Sequence, residues 1–283
     1  MVFSGCFALS ILRIYEETAR RGVFDQVCAL QFLSTCLICY VVNVLTILNV
    51  LNLFIFKNRF SLIQKLNRKL VHTTIGLAFM LCWPLFSSGN QGAVLAALIP
   101  GVNIVKVLLI GLGIWKDEAA VKSMSRYGDY RELIKGPLYY ASTIALSSII
   151  YWRTSPIAIA AICNLCAGDG MADIIGRRFG NKKIPYNKDK SFAGSIAMAA
   201  SGFIVSIGYM HYFSMFGYFE ESWQMVLGFF IVSIASALIE SHPISTKFDD
   251  NLMVPLTSFL VGTLTVERSN NCSASSLKSR RME

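Results

Sequence analysis

Residues 167–195, Ala167 to Ser195, read AGDGMADIIGRRFGNKKIPYNKDKSFAGS. One apolar run leads into this stretch and another leaves it. Between them lie three acids (Asp169, Asp173, Asp189), six cations (Arg177, Arg178, Lys182, Lys183, Lys188, Lys190) and five glycines. Charges this dense between two apolar segments need a task. Carboxylates four residues apart, glycines and a lysine run predict a metal–polyphosphate site at a bilayer surface.

The rest of the chain supplies the bilayer. Mean hydropathy is +0.53 and 15% of residues are charged, against roughly 25% in soluble domains. This predicts an all-α fold, a polytopic membrane helical bundle. About seven transmembrane helices are expected near 70–86, 92–115, 138–152, 155–168, 193–213, 223–239 and 252–266, with a suspect extra apolar segment within 27–56. If each of the seven crosses once, segments 57–69, 116–137, 169–192 and 240–251 share one face. They hold seventeen Lys or Arg, whereas the loops of the other face hold only Arg153. The basic face is then cytoplasmic, or stromal in a plastid. The net charge of +9 does not point to nucleic acid, because no basic, aromatic-interleaved module is present. Anionic lipid headgroups and a nucleotide triphosphate account for it.

Two C-x-x-C pairs, Cys36/Cys39 and Cys163/Cys166, sit in apolar runs without further ligands nearby. They read as packing residues rather than a zinc site. Four regions are expected: an N-terminal remnant 1–26, a suspected insertion 27–64, a membrane domain 65–266 and a polar, Ser-rich, disordered tail 267–283. No Ser/Arg-rich transit peptide stands ahead of the first apolar run.

Each motif has two readings. Asp169 and Asp173 share a face if the helix continues past 168; they are then Mg²⁺ ligands, or else part of a solvated loop. Gly176 and Gly180 mark close packing or a turn. Arg177 and Arg178 are phosphate ligands or positive-inside charges. Lys188, Lys190, Ser191 and Gly194 precede an apolar span, and Ser191 suits an N-cap, so this helix start binds phosphate or anchors the interface. Glu240 and the Asp249-Asp250-Asn251 run are ligands, catalytic groups or helix caps. Arg68, Lys69 and His72 contact phosphate or substrate, or snorkel. Arg126 and Asp129 orient a nucleotide or cap helices. Tyr139 and Tyr140 read as an interfacial aromatic belt. No Walker A loop and no protein-kinase signature occurs.

The blocks CAGDGMADIIGRRFGNKKIPYNKDKSFAGS, RKLVH, SRYGDYRELIKGPLYY and ESHPISTKFDDN together resemble the plant farnesol kinase and phytol kinase group of the polyprenol kinase family, with dolichol kinase more distant. The details GLAFMLCWPLFSSG and SPIAIAAICNLCAGDG are closer to farnesol kinase. The resemblance covers roughly Arg13–Gln26 and Lys65–Val266. It implies an integral membrane enzyme of a plastid (chloroplast) that phosphorylates an isoprenoid alcohol such as farnesol, geranylgeraniol or phytol. CTP is the favoured donor, with ATP the other candidate. Within the family, GVFDQ runs almost directly into KLNRKLVH, whereas thirty-eight residues, Val27 to Gln64, intervene here. An in-frame translated intron beginning GT and ending AG would give those end residues, so a retained intron or a gene-model error is expected.

The expected reaction is phosphoryl transfer to a prenyl alcohol, with Asp169 and Asp173 holding Mg²⁺. Asp249 or Asp250 is a further ligand or the base. Lys188, Lys190 and the Ser191–Gly194 helix start hold the triphosphate, with Arg68, Lys69 and His72 as further phosphate contacts. A CDP-lipid synthase-like cytidylyltransferase is the rival enzyme. A transporter is the rival of another class, predicting mid-span ionisable residues and repeated halves, where only Lys106 is mid-span.

Overall fold

The computed structural model describes residues 60–86, 90–125 and 127–280, with side chains from Lys69 to Thr265 except at Val71, Thr246 and Lys247. The N-terminal remnant, nearly all of the suspected insertion, the Cys36/Cys39 pair, the Arg126 position and the Arg68 side chain lie outside this description. The 64/65 junction falls inside the first helix.

The helices in chain order are α1 (Phe60–Leu81), α2 (Asn90–Gly111), α3 (Glu118–Met124), α4 (Gly136–Leu146), α5 (Pro156–Cys163), α6 (Asp169–Phe179), α7 (Phe192–Met215), α8 (Trp223–Ser241), α9 (Pro243–Phe248) and α10 (Asp250–Arg280). Two short strands, β1 (Lys183–Ile184) and β2 (Asn187–Ser191), form an antiparallel hairpin between α6 and α7. A π turn over Asn164–Gly168 joins α5 to α6 in one continuous rod. The expected all-α architecture stands, with the hairpin as its small exception.

Four segments are long and apolar enough to cross a membrane: 90–111, 156–179, 192–215 and 223–241. Burial ranks them. The α5–α6 rod is 83% buried over its apolar window, against 33% for α2 and 28% for α7. Ala158 to Cys163 are fully enclosed, so α5 is the axis and the other helices wrap it. On α2, Val94, Leu95, Leu98, Val102 and Val105 face outward, as expected of a helix that is apolar all round. Lys106 reaches from α2 to Asp117, 3.1 Å away just past the helix end; its long stem lets the charge leave the apolar surface.

At one end of the bundle the chain is locked by Arg153. Its guanidinium donates to the carbonyls of Trp83 (3.0 Å) and Phe86 (2.9 Å) and lies 4.3 Å from the Tyr218 ring centre. The Trp152 ring centre lies 5.4 Å from the guanidinium, and Trp152 and Phe213 both pack against Trp83. The charged groups gather at the other end.

Stretches read as loops carry helix. Of the two readings of the charged stretch from 169, the helical one holds as far as Phe179, because no proline interrupts the rod. The loop 116–137 contains α3 and a 3₁₀ turn, and 240–251 contains α9. Helix α10 runs on to Arg280, as no Gly or Pro follows Gly262 to stop it.

Candidate active site

Small residues bring the first two charged groups together. A Cβ on Gly170 would sit 2.1 Å from Thr73 Oγ1, so only glycine lets α6 and α1 approach so closely here. One turn before Thr73, Lys69 then meets Asp169, Nζ to Oδ2 2.7 Å. Asp169 is only 3% exposed.

The hairpin supplies the second cation. Asn187 Nδ2 donates to the Ser241 carbonyl (3.1 Å), and the Tyr186 and Ser241 hydroxyls are 2.9 Å apart. These contacts pin β2 against the end of α8. Lys190 is thereby held against Glu240 and against Asp250, 2.8 Å away. Burial alone would lower the Lys190 pKa, but Asp250 and Glu240 outweigh it and raise the ammonium above its usual range. Asp250 is raised by its burial, with Lys190 pulling the other way.

Oxygens of Asp169, Glu240 and Asp250 all lie within 4.8 Å of one another. Oδ1 of Asp250 is buried without a hydrogen-bond partner. Taking ions out of water costs several kcal/mol each, so three acids and two lysines gathered in one buried place mark a working site more than a stabilising one. The donor set is all carboxylate oxygen, which suits a hard divalent cation such as Mg²⁺.

A cavity of about 380 Å³ opens on this cluster. Its far wall is the start of α7. Ser191 caps that helix, accepting from Gly194 N at 3.2 Å. The Ser195 hydroxyl is buried without a partner and also lines the cavity. Gly194 lets α6 and α7 approach closely, since a Cβ there would lie 3.0 Å from the Ala172 carbonyl oxygen and 3.4 Å from Gly176 Cα. An open helix start, cations on the wall and close backbone approach are what polyphosphate binding requires.

A second cavity of about 300 Å³ lies beside the first, sharing Lys69 and Tyr127 as walls. Here Asn251 Nδ2 donates to Asp249 Oδ1 at 2.8 Å, so Asn251 turns its Oδ1 to His72 Nε2, 2.7 Å away. That nitrogen therefore carries the proton. Tyr140 donates to the His72 carbonyl at 2.7 Å and sets its ring 4.2 Å from the imidazole.

The expected residues are thus sorted. Asp169, Lys190, Ser191, Gly194, Glu240 and Asp250 meet at the first cavity, with Lys69 on its border. Asp173 lines the same cavity but binds Arg177 at 2.7 Å and stands outside the carboxylate cluster. Arg177 faces the cavity, whereas Arg178 is exposed beside Phe179. Lys188 is exposed on the hairpin and lines neither cavity. Asp129 caps a 3₁₀ turn through Arg131 N and lies outside both. His72, Asp249 and Asn251 belong to the second cavity. Ser195 and Tyr127 carry no expected role, and Tyr140, read as part of an interfacial aromatic belt, lines the second cavity instead.

The geometry defines a helical protein with a charge-lined cleft at one end of an apolar bundle. Relatives narrow that class. The chain is 61% identical over 261 residues to "Probable phytol kinase 3, chloroplastic" of Glycine max, covering 92% of this chain and 70% of that protein. It is 67% identical over 201 residues to "Farnesol kinase, chloroplastic" of Arabidopsis thaliana, covering 71% of this chain and 66% of that protein. It is 43% identical over 202 residues to "Phytol kinase 1, chloroplastic" of the same plant, covering 71% of this chain and 66% of that protein. No family model and no solved structure matches. The chain belongs to the plant chloroplast farnesol kinase and phytol kinase family.

Proposed function

We propose that this protein is an isoprenoid alcohol kinase of a plastid membrane, with CTP as donor and farnesol the first candidate acceptor. The reading rests on family membership together with one observation: the acids of α6, α8 and α10 and the lysines of α1 and β2 meet over a polar cavity at the start of α7. The higher identity to the farnesol kinase than to phytol kinase 1 of the same plant favours farnesol.

In this reading the triphosphate lies between Lys190 and the α7 start, with Ser191, Gly194 and Ser195 donating to its oxygens. Asp169, Glu240 and Asp250 would hold Mg²⁺, which neutralises phosphate charge when bound. The alcohol oxygen bonds to the terminal phosphorus, and the bridging P–O bond breaks with its electrons leaving on the nucleoside diphosphate. The hydroxyl proton passes to Asp249, the acid of the 249–250 pair that stands outside the carboxylate cluster. Little covalent work falls to the protein; positioning and charge carry the rate.

The test uses membranes containing the full chain, several prenyl alcohols, and CTP or ATP labelled at the α or γ position. The γ label is expected to pass to farnesol and the α label to remain in nucleotide. Transfer of the α label to lipid would show a cytidylyltransferase instead, and no transfer of either label to any alcohol would remove the kinase reading.

A further inference from the structure

The geometry points to the second cavity as the seat of the acceptor alcohol's hydroxyl end, with Asp249 as the hydroxyl's hydrogen-bond acceptor. This rests on the kinase reading for the identity of the ligand, but the cavity and its polar groups stand on their own. Three observations carry it.

The first is the separation of two adjacent acids. Asp250 joins the Lys190 cluster, while Asp249 lines the other cavity. The split is made by the backbone, since Asp249 has φ +75°, a left-handed conformation uncommon for a residue with a Cβ. Asn251 gives both its backbone N–H (3.0 Å) and its Nδ2 (2.8 Å) to Oδ1 of Asp249. Among the described residues, no hydrogen bond goes to Oδ2, which is left as the acceptor for a ligand hydroxyl.

The second is the mixed character of the walls. The polar groups Asp249, Asn251 and His72 are faced by Ile75, Met124 and Pro137. A mixed wall of this kind, which Lys69, Glu132 and Lys135 also line, suits an amphiphile with one hydroxyl, whereas a metal-bound nucleotide triphosphate suits the cavity next door, where Arg177, Lys183 and Lys190 stand beside the carboxylate cluster. Ile75 is 53% exposed on α1, so the cavity meets the outer apolar surface there. A chain dissolved in lipid has a route in while its head reaches Asp249.

The third is adjacency. Lys69 borders both cavities and binds Asp169, so a hydroxyl in the second cavity lies across one side chain from the phosphate site. An acceptor must be that near to the terminal phosphorus.

Two variants and one label test this in the full chain. Asp249→Asn keeps the size, the tolerance of positive φ and an Oδ1, so folding is preserved. Ile75→Trp narrows an exposed entrance. Ile75→Trp should raise KM for farnesol about tenfold, and Asp249→Asn should lower kcat/KM for farnesol about tenfold or more, both leaving KM for CTP unchanged. A benzophenone-bearing prenyl alcohol should label the 72–75, 124 or 137 positions, with excess farnesol suppressing the label. Wild-type alcohol kinetics in both variants, or competed labelling confined to other helices, would overturn the assignment. If the wild type phosphorylates no alcohol yet the competed label maps to these residues, the kinase reading fails and the alcohol site stands.

Discussion

Lys190 on the hairpin bridges Glu240 and Asp250, residues fifty and sixty positions further along the chain. This one ammonium ties β2 to the end of α8 and the start of α10. It also keeps two buried carboxylates from facing each other unshielded. Its removal is therefore expected to be costly for the fold as well as for the site.

Replacing Lys190 with Met should destabilise the protein by about 3–5 kcal/mol, the cost of stranding buried partners of an ion pair. Adding Glu240→Gln should return part of that loss. Because Lys190 is raised above its usual range by Asp250 and Glu240 against the effect of burial, its contribution is fully present below the unfolded lysine pKa of about 10.4. It is lost as pH rises through the higher folded value. Thermal melts in detergent should show a steady gap between wild type and Lys190→Met from about pH 7 to about pH 10, closing above it.

Asp250→Asn is expected to act on the nucleotide side. It removes a carboxylate from the cluster with Asp169 and Glu240. KM for Mg²⁺-nucleotide should rise and kcat should fall by about 10²-fold or more, with KM for the alcohol little changed. Steady-state kinetics with both substrates varied reads this directly.

Gly170→Ala places a methyl where Thr73 Oγ1 already lies, 2.1 Å from the new Cβ. Helices α1 and α6 must part, and overpacking of this kind costs about 1–3 kcal/mol. The same shift draws Lys69 away from Asp169, so activity falls too. Thr73→Ala in the same chain should restore much of both, which a double-mutant cycle of melting temperature and rate checks.

Arg153→Met provides a contrast at the opposite end. It loses two carbonyl partners and the Tyr218 face. Hydrogen bonds from a charged donor contribute about 1.5–3 kcal/mol each, so the melting temperature should drop. KM for both substrates in the surviving protein should be unchanged, since Arg153 lines neither cavity.

The sequence made the bundle legible because apolar segments of spanning length leave few other folds. Helix stands at each of the seven places read, and among the described residues four segments are long and apolar enough to span. Ser191 as an N-cap was readable from its place before an apolar run, and Asp169 from the density of charge around it. The hairpin was not, since NKDKS has no apolar alternation to mark a strand. Nor was the Glu240–Lys190 pairing, which depends on Asn187 and Tyr186 gripping Ser241 far along the chain. The separation of Asp249 from Asp250 turns on a single positive φ, and the difference between Arg177 and Arg178 on helical phase near a helix end. Spacing along the chain carries none of these.

Asp169, Lys190, Glu240 and Asp250 are proposed to form one nucleotide site. Calorimetric titration of CTP with Mg²⁺ into the purified full chain, beside Asp169→Asn of equal melting temperature, reads this out. The wild type should bind, and the variant should bind about tenfold or more weakly. Equal affinity in the two proteins would rule out a shared nucleotide site.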